Sequence, residues 1–350
     1  MIEFASRKVK STLLDPRENF ALKSVETEIR TDPLTKDSGR LAHLGMITAQ
    51  KEDFSGWDTP EIRQICPFCP GNIETMTPRF PEDLIPEGHL RKGDATVICN
   101  ISPYDQYSGL TVMSKDHLVT VEMLTEKLLK NAFQAGLEFC HLVREKDPQL
   151  PYHLIGWNYM PPSGGGLVHP HQQVIITDAP GNLYRKTIDS SRQFARQKGK
   201  NYWEALYETE QAKNERYLGR IGQGHWLVPF VPLGVLGEFM AVFPGIHTID
   251  DMQEKTLDDL VQGLRRLFDY FESRQIYSFN MGLYFAPHRE EEEMEVKDYY
   301  TLHARIIPRT YLNLMQKPPD TNMFQVALQE PFAVLAPEDL CQEVKPFFEK

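Results

Sequence analysis

The stretch Ser163-Gly-Gly-Gly-Leu-Val-His-Pro-His-Gln-Gln-Val-Ile-Ile-Thr177 carries the most informative pattern in this 350-residue chain. Its last residues are mostly β-branched, and they predict a strand. Because side chains alternate between the two faces of a strand, extended backbone here would place His169, His171 and Gln173 on one face. We therefore expect this strand to present a polar site on one face and an apolar surface on the other.

The glycine run Gly164–Gly166 shortly precedes the two histidines. Glycine has no Cβ, so backbone N–H groups can approach an anion closely, as they do in loops that cradle phosphate. A histidine beside such a loop is placed to attack a phosphorus atom and to carry the phosphoryl group covalently. The His-x-His pattern by itself also occurs in metal pairs and by coincidence on surfaces, but the glycines and Gln173 favour phosphoryl transfer.

A second motif is Cys66-Pro-Phe-Cys69, whose spacing is typical of a redox dithiol or of half a zinc site. No thioredoxin-like pattern surrounds it, so the redox interpretation is the weaker one, and two inert thiols remain a third interpretation. Tetrahedral zinc needs two further ligands, and the sequence has no second Cys-x-x-Cys. Histidines would have to supply them, and the candidates are His117, at the end of a predicted strand, and His169.

Composition excludes several classes of protein. The chain has 38 Lys and Arg against 49 Asp and Glu, a net charge of −11, which argues against a nucleic-acid binder or a binder of anionic membranes. No apolar run approaches the ~20 residues that cross a bilayer, and the N-terminus does not read as a secretory signal. Five cysteines are few for a disulfide scaffold of this length, so we expect a cytoplasmic protein. Nucleotide-binding P-loop and GxGxxG patterns and the GxSxG and HExxH patterns of hydrolases do not occur.

The chain shows a pattern of strands, a helix and more strands twice, after some 60 polar, turn-rich residues. Apolar residues recur at helical spacing from Thr125 to Glu145, and a similar segment follows in the second copy. The corresponding residues are His117 and His247, Asn158 and Asn280, and His169 and His303. We interpret this as an internal duplication, with one unit over 1–180, a helical connector over 181–220 and a degenerate unit over 221–350. The alternative is two unrelated stretches that share a generic order of elements.

Three features together resemble the galactose-1-phosphate uridylyltransferase family, a branch of the histidine-triad superfamily. They are Cys66-Pro-Phe-Cys-Pro-Gly-Asn72, Asn158, and His169-Pro-His-x-Gln173, and the likeness extends from about residue 30 to residue 338. The resemblance implies an α+β fold of two histidine-triad-like repeats, each an antiparallel sheet with a packed helix. It therefore agrees with the duplication inferred from the sequence pattern.

The resemblance also implies a ping-pong nucleotidyl transfer. His171 would attack the α-phosphorus of a nucleotide sugar, release hexose 1-phosphate and become nucleotidylated; a sugar phosphate or orthophosphate would then collect the nucleotide. Gln173 would hydrogen-bond the α-phosphoryl oxygens. By the same resemblance, zinc would bind Cys66, Cys69, His117 and His169 as a closed structural site, and a homodimer would complete the active site. Substrate contacts are implied for Arg30, Asn100, Asn158, Ser163, Gly164, Gly165 and Gly166.

The sequence departs from the family pattern at several positions. Gly166 replaces a serine of many relatives, and Ile101 replaces an acidic residue that would touch the ribose. The run His303-Ala-Arg305 lacks the second histidine that the second metal site of some members needs, and Tyr284 stands where another histidine would be, so we do not expect a second metal. Asn322–Gln329 replaces the hexose-binding run and lacks its acidic residue.

These features lead to one preferred function and two alternatives. We predict a hexose-1-phosphate uridylyltransferase that uses UDP-glucose. The first alternative keeps His171 as nucleophile but is a phosphorylase of ADP-sugars or dinucleoside polyphosphates. The second is a zinc-stabilised binding protein without turnover, and the intact pair His171 and Gln173 argues against it.

Overall fold

The computed structural model describes residues 2–42, 47, 49–50, 52–288 and 294–349. These residues form two sheets and their covering helices. The strands are β1 (Ala5–Asp15), β2 (Ala21–Thr31), β3 (Ser38–Leu41), β4 (Leu90–Lys92), β5 (Ala95–Cys99), β6 (Tyr107–Val112), β7 (Tyr152–Tyr159), β8 (His171–Thr177), β9 (Tyr217–Ile221), β10 (Gly224–Leu227), β11 (Phe239–Val242), β12 (Ser278–Tyr284), β13 (His303–Arg309) and β14 (Phe332–Ala333). The α-helices are α1 (Pro60–Ile65), α2 (Ile73–Met76), α3 (Glu126–Lys146), α4 (Asn182–Lys198), α5 (Tyr202–Lys213), α6 (Glu254–Ser273), α7 (Val296–Tyr299), α8 (Met323–Val326) and α9 (Pro337–Phe348).

The larger sheet has ten strands in the order β4-β5-β6-β8-β7-β12-β13-β11-β10-β9, and all neighbours are antiparallel. The predicted α+β fold with antiparallel sheets is thus confirmed. When the strands of each half are counted in chain order, the two five-stranded halves have the same order from edge to centre. This identity supports the predicted duplication. The halves join at β7 and β12, where Asn158 lies directly opposite Asn280.

Two long helices cover one face of this sheet. Thr125 accepts a hydrogen bond from the backbone N–H of Leu128 and so caps α3, whose predicted range of 125–145 is close to the observed one. Leu129, Phe133 and other apolar residues of α3 are buried at helical spacing and belong to the same core cluster as the buried face of α6. Polar side chains of β7, β8, β12 and β13 lie on the opposite face of the sheet.

The smaller sheet has the order β1-β2-β3-β14, with β14 parallel to β3. The segment 181–220, predicted to be a helical connector, contains α4 and α5 and the first residues of β9. Within the described ranges, no helix combines the length and the apolar character that crossing a bilayer requires.

Candidate active site

His171 opens β8, which lies between β6 and β7 in the large sheet. Gln173 follows on the same face, while Gln172 and Val174 between and after them are fully buried on the helix side. Of the three residues predicted to share one face, His169 lies before the strand and its ring faces the cysteines, whereas His171 and Gln173 lie on the open face of β8. Asn158 belongs to the same face, because Gly156, two residues before it on β7, lies directly opposite Gln173.

The His171 ring is held in one tautomer. Its Nδ1 lies 2.8 Å from the carbonyl oxygen of His169, and since a carbonyl only accepts, Nδ1 carries the proton and Nε2 carries a free lone pair. Burial lowers the pKa of His171, which keeps the imidazole neutral near pH 7. The Phe68 ring packs against it in an edge-type contact, with the ring centroids 5.2 Å apart. The result is an oriented, neutral imidazole, the form that acts as a nucleophile.

A tight turn leads from β7 towards His171 and contains the glycine loop, Ser163–Gly166. Gly164 has φ of +87°, a backbone conformation that residues other than glycine rarely adopt. A Cβ on Gly165 would lie 2.9 Å from the carbonyl oxygen of Asn158, so the second glycine is needed for close backbone approach. A Cβ on Gly166, by contrast, would have no described residue within 4 Å apart from its chain neighbours. Ser163 is buried and donates its hydroxyl proton to Met160 O at 2.7 Å, so it stabilises the turn.

The four predicted metal ligands come together and form a buried group. Cys66 Sγ lies 3.6 Å from His169 Nδ1, and Cys69 Sγ lies 3.4 Å from His117 Nδ1 and 3.8 Å from His169 Nδ1. All four candidate ligand atoms lie within 4.8 Å of one another. In a tetrahedral zinc site, bond lengths of about 2.3 Å to sulfur and 2.0–2.1 Å to nitrogen separate the two atoms by roughly 3.6 Å. The distances therefore fit a Cys2His2 metal site.

The protonation of His169 also fits a ligand. Its Nε2 lies 2.8 Å from the Ser114 carbonyl oxygen and must donate to it, which leaves the Nδ1 lone pair directed at the two sulfurs. Burial lowers the pKa of His169 to about 4, so the ring is neutral. On the other side of the site, the Asn72 side chain donates to the carbonyl of Cys66 at 2.8 Å and fixes the cysteine turn. This contact explains the asparagine in the motif Cys66–Asn72.

No protein-family model matches the sequence. A protein of Archaeoglobus fulgidus described as uncharacterised is 30% identical over 285 residues, which make up 81% of this chain and 81% of that protein. The chain belongs to the family of this archaeal protein.

Solved structures identify the fold. The ADP-glucose phosphorylase of Arabidopsis thaliana, solved with bound ADP-glucose, matches with a TM-score of 0.70 and 15% identity over 91% of this chain and 98% of its own. A GalT-like protein of A. thaliana matches with a TM-score of 0.68 and 14% identity over the same shares. A uridylyltransferase mutant matches with 0.65 and 17% identity over 92% of this chain and 98% of its own. The fold expected from the resemblance to the galactose-1-phosphate uridylyltransferase family is confirmed.

Two residues predicted to contact substrate have local partners in this uridylyltransferase fold. Asn100 follows β5; its Oδ1 accepts from the backbone N–H of Ser102 at 3.0 Å and its Nδ2 lies 3.4 Å from Ser108 Oγ. Arg30 is buried in the small sheet and makes a bidentate ion pair with Glu338, at 2.8 and 3.0 Å. The structure thus places Arg30 in an ion-pair network of the small sheet, whereas His171, Gln173 and Asn158 lie together on the large one.

In the second half of the uridylyltransferase fold, other side chains cover the face of β13 that corresponds to the open face of β8. His303 is buried and stacks on Trp203 of α5, with ring centroids 3.8 Å apart. Burial lowers the pKa of His303 to about 3. Arg305 forms a bidentate ion pair with Glu238, which is fully buried. The residues of the run 303–305 are therefore engaged in packing and in an ion pair.

Sequence reasoning missed two residues near Asn158. Asn280 donates a hydrogen bond to Asn158 Oδ1 at 2.7 Å, and Arg309 donates to Asn280 Oδ1 at 2.6 Å. The correspondence between Asn158 and Asn280 in the duplicated pattern was the available signal for the first. Arg309 had no signal, because its place depends on the pairing of β12 with β13.

Proposed function

We propose that the protein transfers a nucleotidyl group from a nucleotide sugar to a phosphate-bearing acceptor through a covalent intermediate on His171. The observation that carries the proposal is the neutral His171 ring, whose Nδ1–H is held by the His169 carbonyl and whose Nε2 has no hydrogen-bond partner among the described residues. The glycine loop that precedes it has the backbone conformation and the close approach that anion-cradling loops use.

In the first half-reaction, the Nε2 lone pair of His171 attacks the α-phosphorus. A phosphorus–nitrogen bond forms, and the bond from the α-phosphorus to the bridging oxygen breaks, so that hexose 1-phosphate leaves with the electron pair. In the second half-reaction, a phosphate oxygen of the acceptor attacks the same phosphorus and the imidazole leaves. The His171 ring becomes electron-poor while it carries the nucleotide, and the His169 carbonyl, which accepts from Nδ1–H, stabilises that charge.

Gln173 is the second residue of the proposed machinery. It lies two positions beyond His171 on the same face of β8, so its side-chain amide is placed to donate to the oxygens of the transferred phosphoryl group. Positioned donors of this kind stabilise charge that develops on the oxygens.

We assign the Cys2His2 group to zinc, held by Cys66, Cys69, His117 and His169. Zinc bound by four protein ligands supplies a structural cross-link. His169 connects this site to the chemistry, because its ring faces the cysteines while its carbonyl orients His171. The cysteine turn thereby fixes the start of β8.

For the donor and acceptor, we propose UDP-glucose and a hexose 1-phosphate, which makes the protein a hexose-1-phosphate uridylyltransferase. A phosphorylase that uses orthophosphate is the second candidate. The run Asn322–Gln329 favours it, because this run forms the short capped helix α8 and has no acidic side chain to offer a hexose hydroxyl. Both candidates share the His171 intermediate and differ in the acceptor that discharges it.

Intact-protein mass spectrometry tests the proposal. Incubation with UDP-glucose or ADP-glucose should add one nucleotide mass, and the added mass identifies the base. His171→Ala should abolish the adduct, while His141→Ala, an exposed histidine on α3, should leave it unchanged. Addition of galactose 1-phosphate or orthophosphate to the adduct then shows which acceptor removes it. If neither nucleotide sugar gives an adduct, the proposed mechanism is wrong.

A further inference from the structure

Asn280 joins the second half of the sheet to the active site. It lies on β12 directly opposite Asn158 on β7, so both side chains emerge on the open face. The Nδ2 of Asn280 donates two hydrogen bonds, to Asn158 Oδ1 at 2.7 Å and to the carbonyl of Ser163 at 2.9 Å. Both of its amide protons are therefore used on residues at the entrance to the glycine loop.

Arg309, on the neighbouring strand β13, sets the orientation of the Asn280 amide. Arg309, on β13, donates from Nη1 to Asn280 Oδ1 at 2.6 Å, and a guanidinium can only donate. Arg309 is itself fixed by Asp320, whose carboxylate accepts from Nε at 2.8 Å and from Nη2 at 2.6 Å. Asp320 is buried and also accepts from the backbone N–H of Thr310 at 3.1 Å.

The donor and acceptor roles in these contacts fix the orientation of both asparagine amides. Asp320 only accepts and Arg309 only donates, so the oxygen of Asn280 must face Arg309 and its nitrogen must face Asn158. Asn158 then has to accept through its own oxygen, which directs its Nδ2 away from Asn280. In the part of the chain that the structure describes, no residue takes a hydrogen bond from that Nδ2.

We propose that Asn280, oriented by Arg309 and Asp320, is a positioning residue that turns the Asn158 amide so that its N–H2 group faces the transferred phosphoryl group. The proposal rests on the proposed nucleotidyl transfer. An asparagine amide can rotate by half a turn with little steric change, so only its partners decide which end faces the substrate. The nitrogen attracts phosphoryl oxygens, whereas the oxygen would repel them.

Asn280→Asp provides the decisive variant, with Asn280→Ala as its matched control. The introduced carboxylate still accepts from Arg309 but cannot donate, so Asn158 has to turn its nitrogen inward and its oxygen towards the phosphoryl group. We expect the maximal rate of His171 nucleotidylation in a single turnover to fall ~100-fold in Asn280→Asp and ~10-fold in Asn280→Ala, where Asn158 is merely free to rotate. A role in packing alone predicts the reverse order, because aspartate preserves the size of the side chain.

A double-mutant cycle separates amide orientation from direct repulsion by the new carboxylate. In an Asn158→Ala background, where no amide remains to turn, Asn280→Asp should lower the rate less than ~3-fold relative to Asn158→Ala alone. Equal melting temperatures for the variants and the wild type show that the fold is retained. If the full penalty persists without Asn158, or if Asn280→Ala is slower than Asn280→Asp, the positioning role is overturned although the wild type still forms the adduct. Absence of the adduct in the wild type would overturn both the function and the positioning role.

Discussion

The two halves of the ten-stranded sheet have the same strand order, but different side chains cover the strand that carries the histidines. In the first half, His171 follows a glycine loop, and its Nε2 accepts no hydrogen bond from the residues that the structure describes. In the second half, Trp203 from α5 stacks on His303, and Arg305 pairs with the buried Glu238. The two halves therefore share a strand order but differ in what lies over β8 and β13. Residues of β13 are covered by other side chains, whereas His171 on β8 is available for the proposed chemistry.

The largest effect should come from removing the cysteine pair, which ties the first half together. Cys66→Ser/Cys69→Ser should release about one zinc per chain and abolish His171 nucleotidylation, because His169 loses its anchor. Structural zinc sites contribute on the order of 10 kcal/mol, so we also expect a large loss of stability. Elemental analysis, thermal unfolding and intact mass measure the three effects. Cys99→Ser, outside the site, is the control, and zinc retained by the double variant would contradict the assigned ligands.

Arg305→Met, in the second half, should lower the free energy of unfolding without changing nucleotidylation of His171. Removal of the guanidinium leaves the buried carboxylate of Glu238 unpaired, and breaking a buried ion pair in this way costs about 3–5 kcal/mol. Denaturant unfolding measures the loss, and the adduct per folded molecule should stay unchanged. Arg305→Met/Glu238→Gln should recover much of the stability. A loss of adduct without a loss of stability would show that the ion pair of Arg305 with Glu238 contributes to the chemistry.

A smaller, pH-dependent effect is expected near the junction of the halves. His153 on β7 is fully buried, with the His288 ring centroid 5.0 Å away, and burial lowers its pKa to about 3. The unfolded chain takes up a proton at His153 below about pH 6.5 while the folded protein does not, so acidification from pH 7 to 5 should reduce the free energy of unfolding by about 2 kcal/mol through this residue.

His153→Leu should remove that part of the pH dependence, so that the variant gains stability relative to the wild type as the pH falls from 7 to 5. Denaturant unfolding at both pH values checks the prediction. Ile155→Leu, at a buried position of β7 without a titratable group, should keep the slope of the wild type. An unchanged slope in His153→Leu would mean that His153 is protonated in the folded protein.

The smallest expected effect is a difference in stability between serine substitutions at Gly164 and Gly166, two glycines of the same loop. Gly164 has a positive φ, so Gly164→Ser should cost about 1–2 kcal/mol. Gly166 has open space around it, so Gly166→Ser should change stability by less than about 0.5 kcal/mol. Thermal unfolding of the two variants measures the difference. Equal losses would contradict the loop conformation described above.

Local patterns predicted much of the fold and the site. The range of α3, the shared face of His171 and Gln173, and the four metal ligands were all available from spacing or from the family motifs. The paired strands β1 and β2 were not predicted, because the side chains of β1 are mostly exposed and those of β2 mostly half-buried, so neither strand shows a clear apolar alternation.

Contacts between distant parts of the chain could not be predicted in the same way. The ion pair of Arg30 with Glu338 joins residues at opposite ends of the sequence. The contacts of Asn280 with Asn158 and of Arg309 with Asn280 depend on strand registers that no local pattern specifies. The sequence therefore indicated the candidate residues of the site more clearly than the long-range contacts that hold them in place.

The most direct test of the difference between the halves is to locate the nucleotide on the protein. After incubation with UDP-glucose or ADP-glucose, the protein is digested at neutral pH and the modified peptide is sequenced by mass spectrometry. We predict one nucleotide per chain, attached to His171, with His303 unmodified. Modification of His303, or a chain that carries no nucleotide with either substrate, would contradict the assignment of the chemistry to the first half.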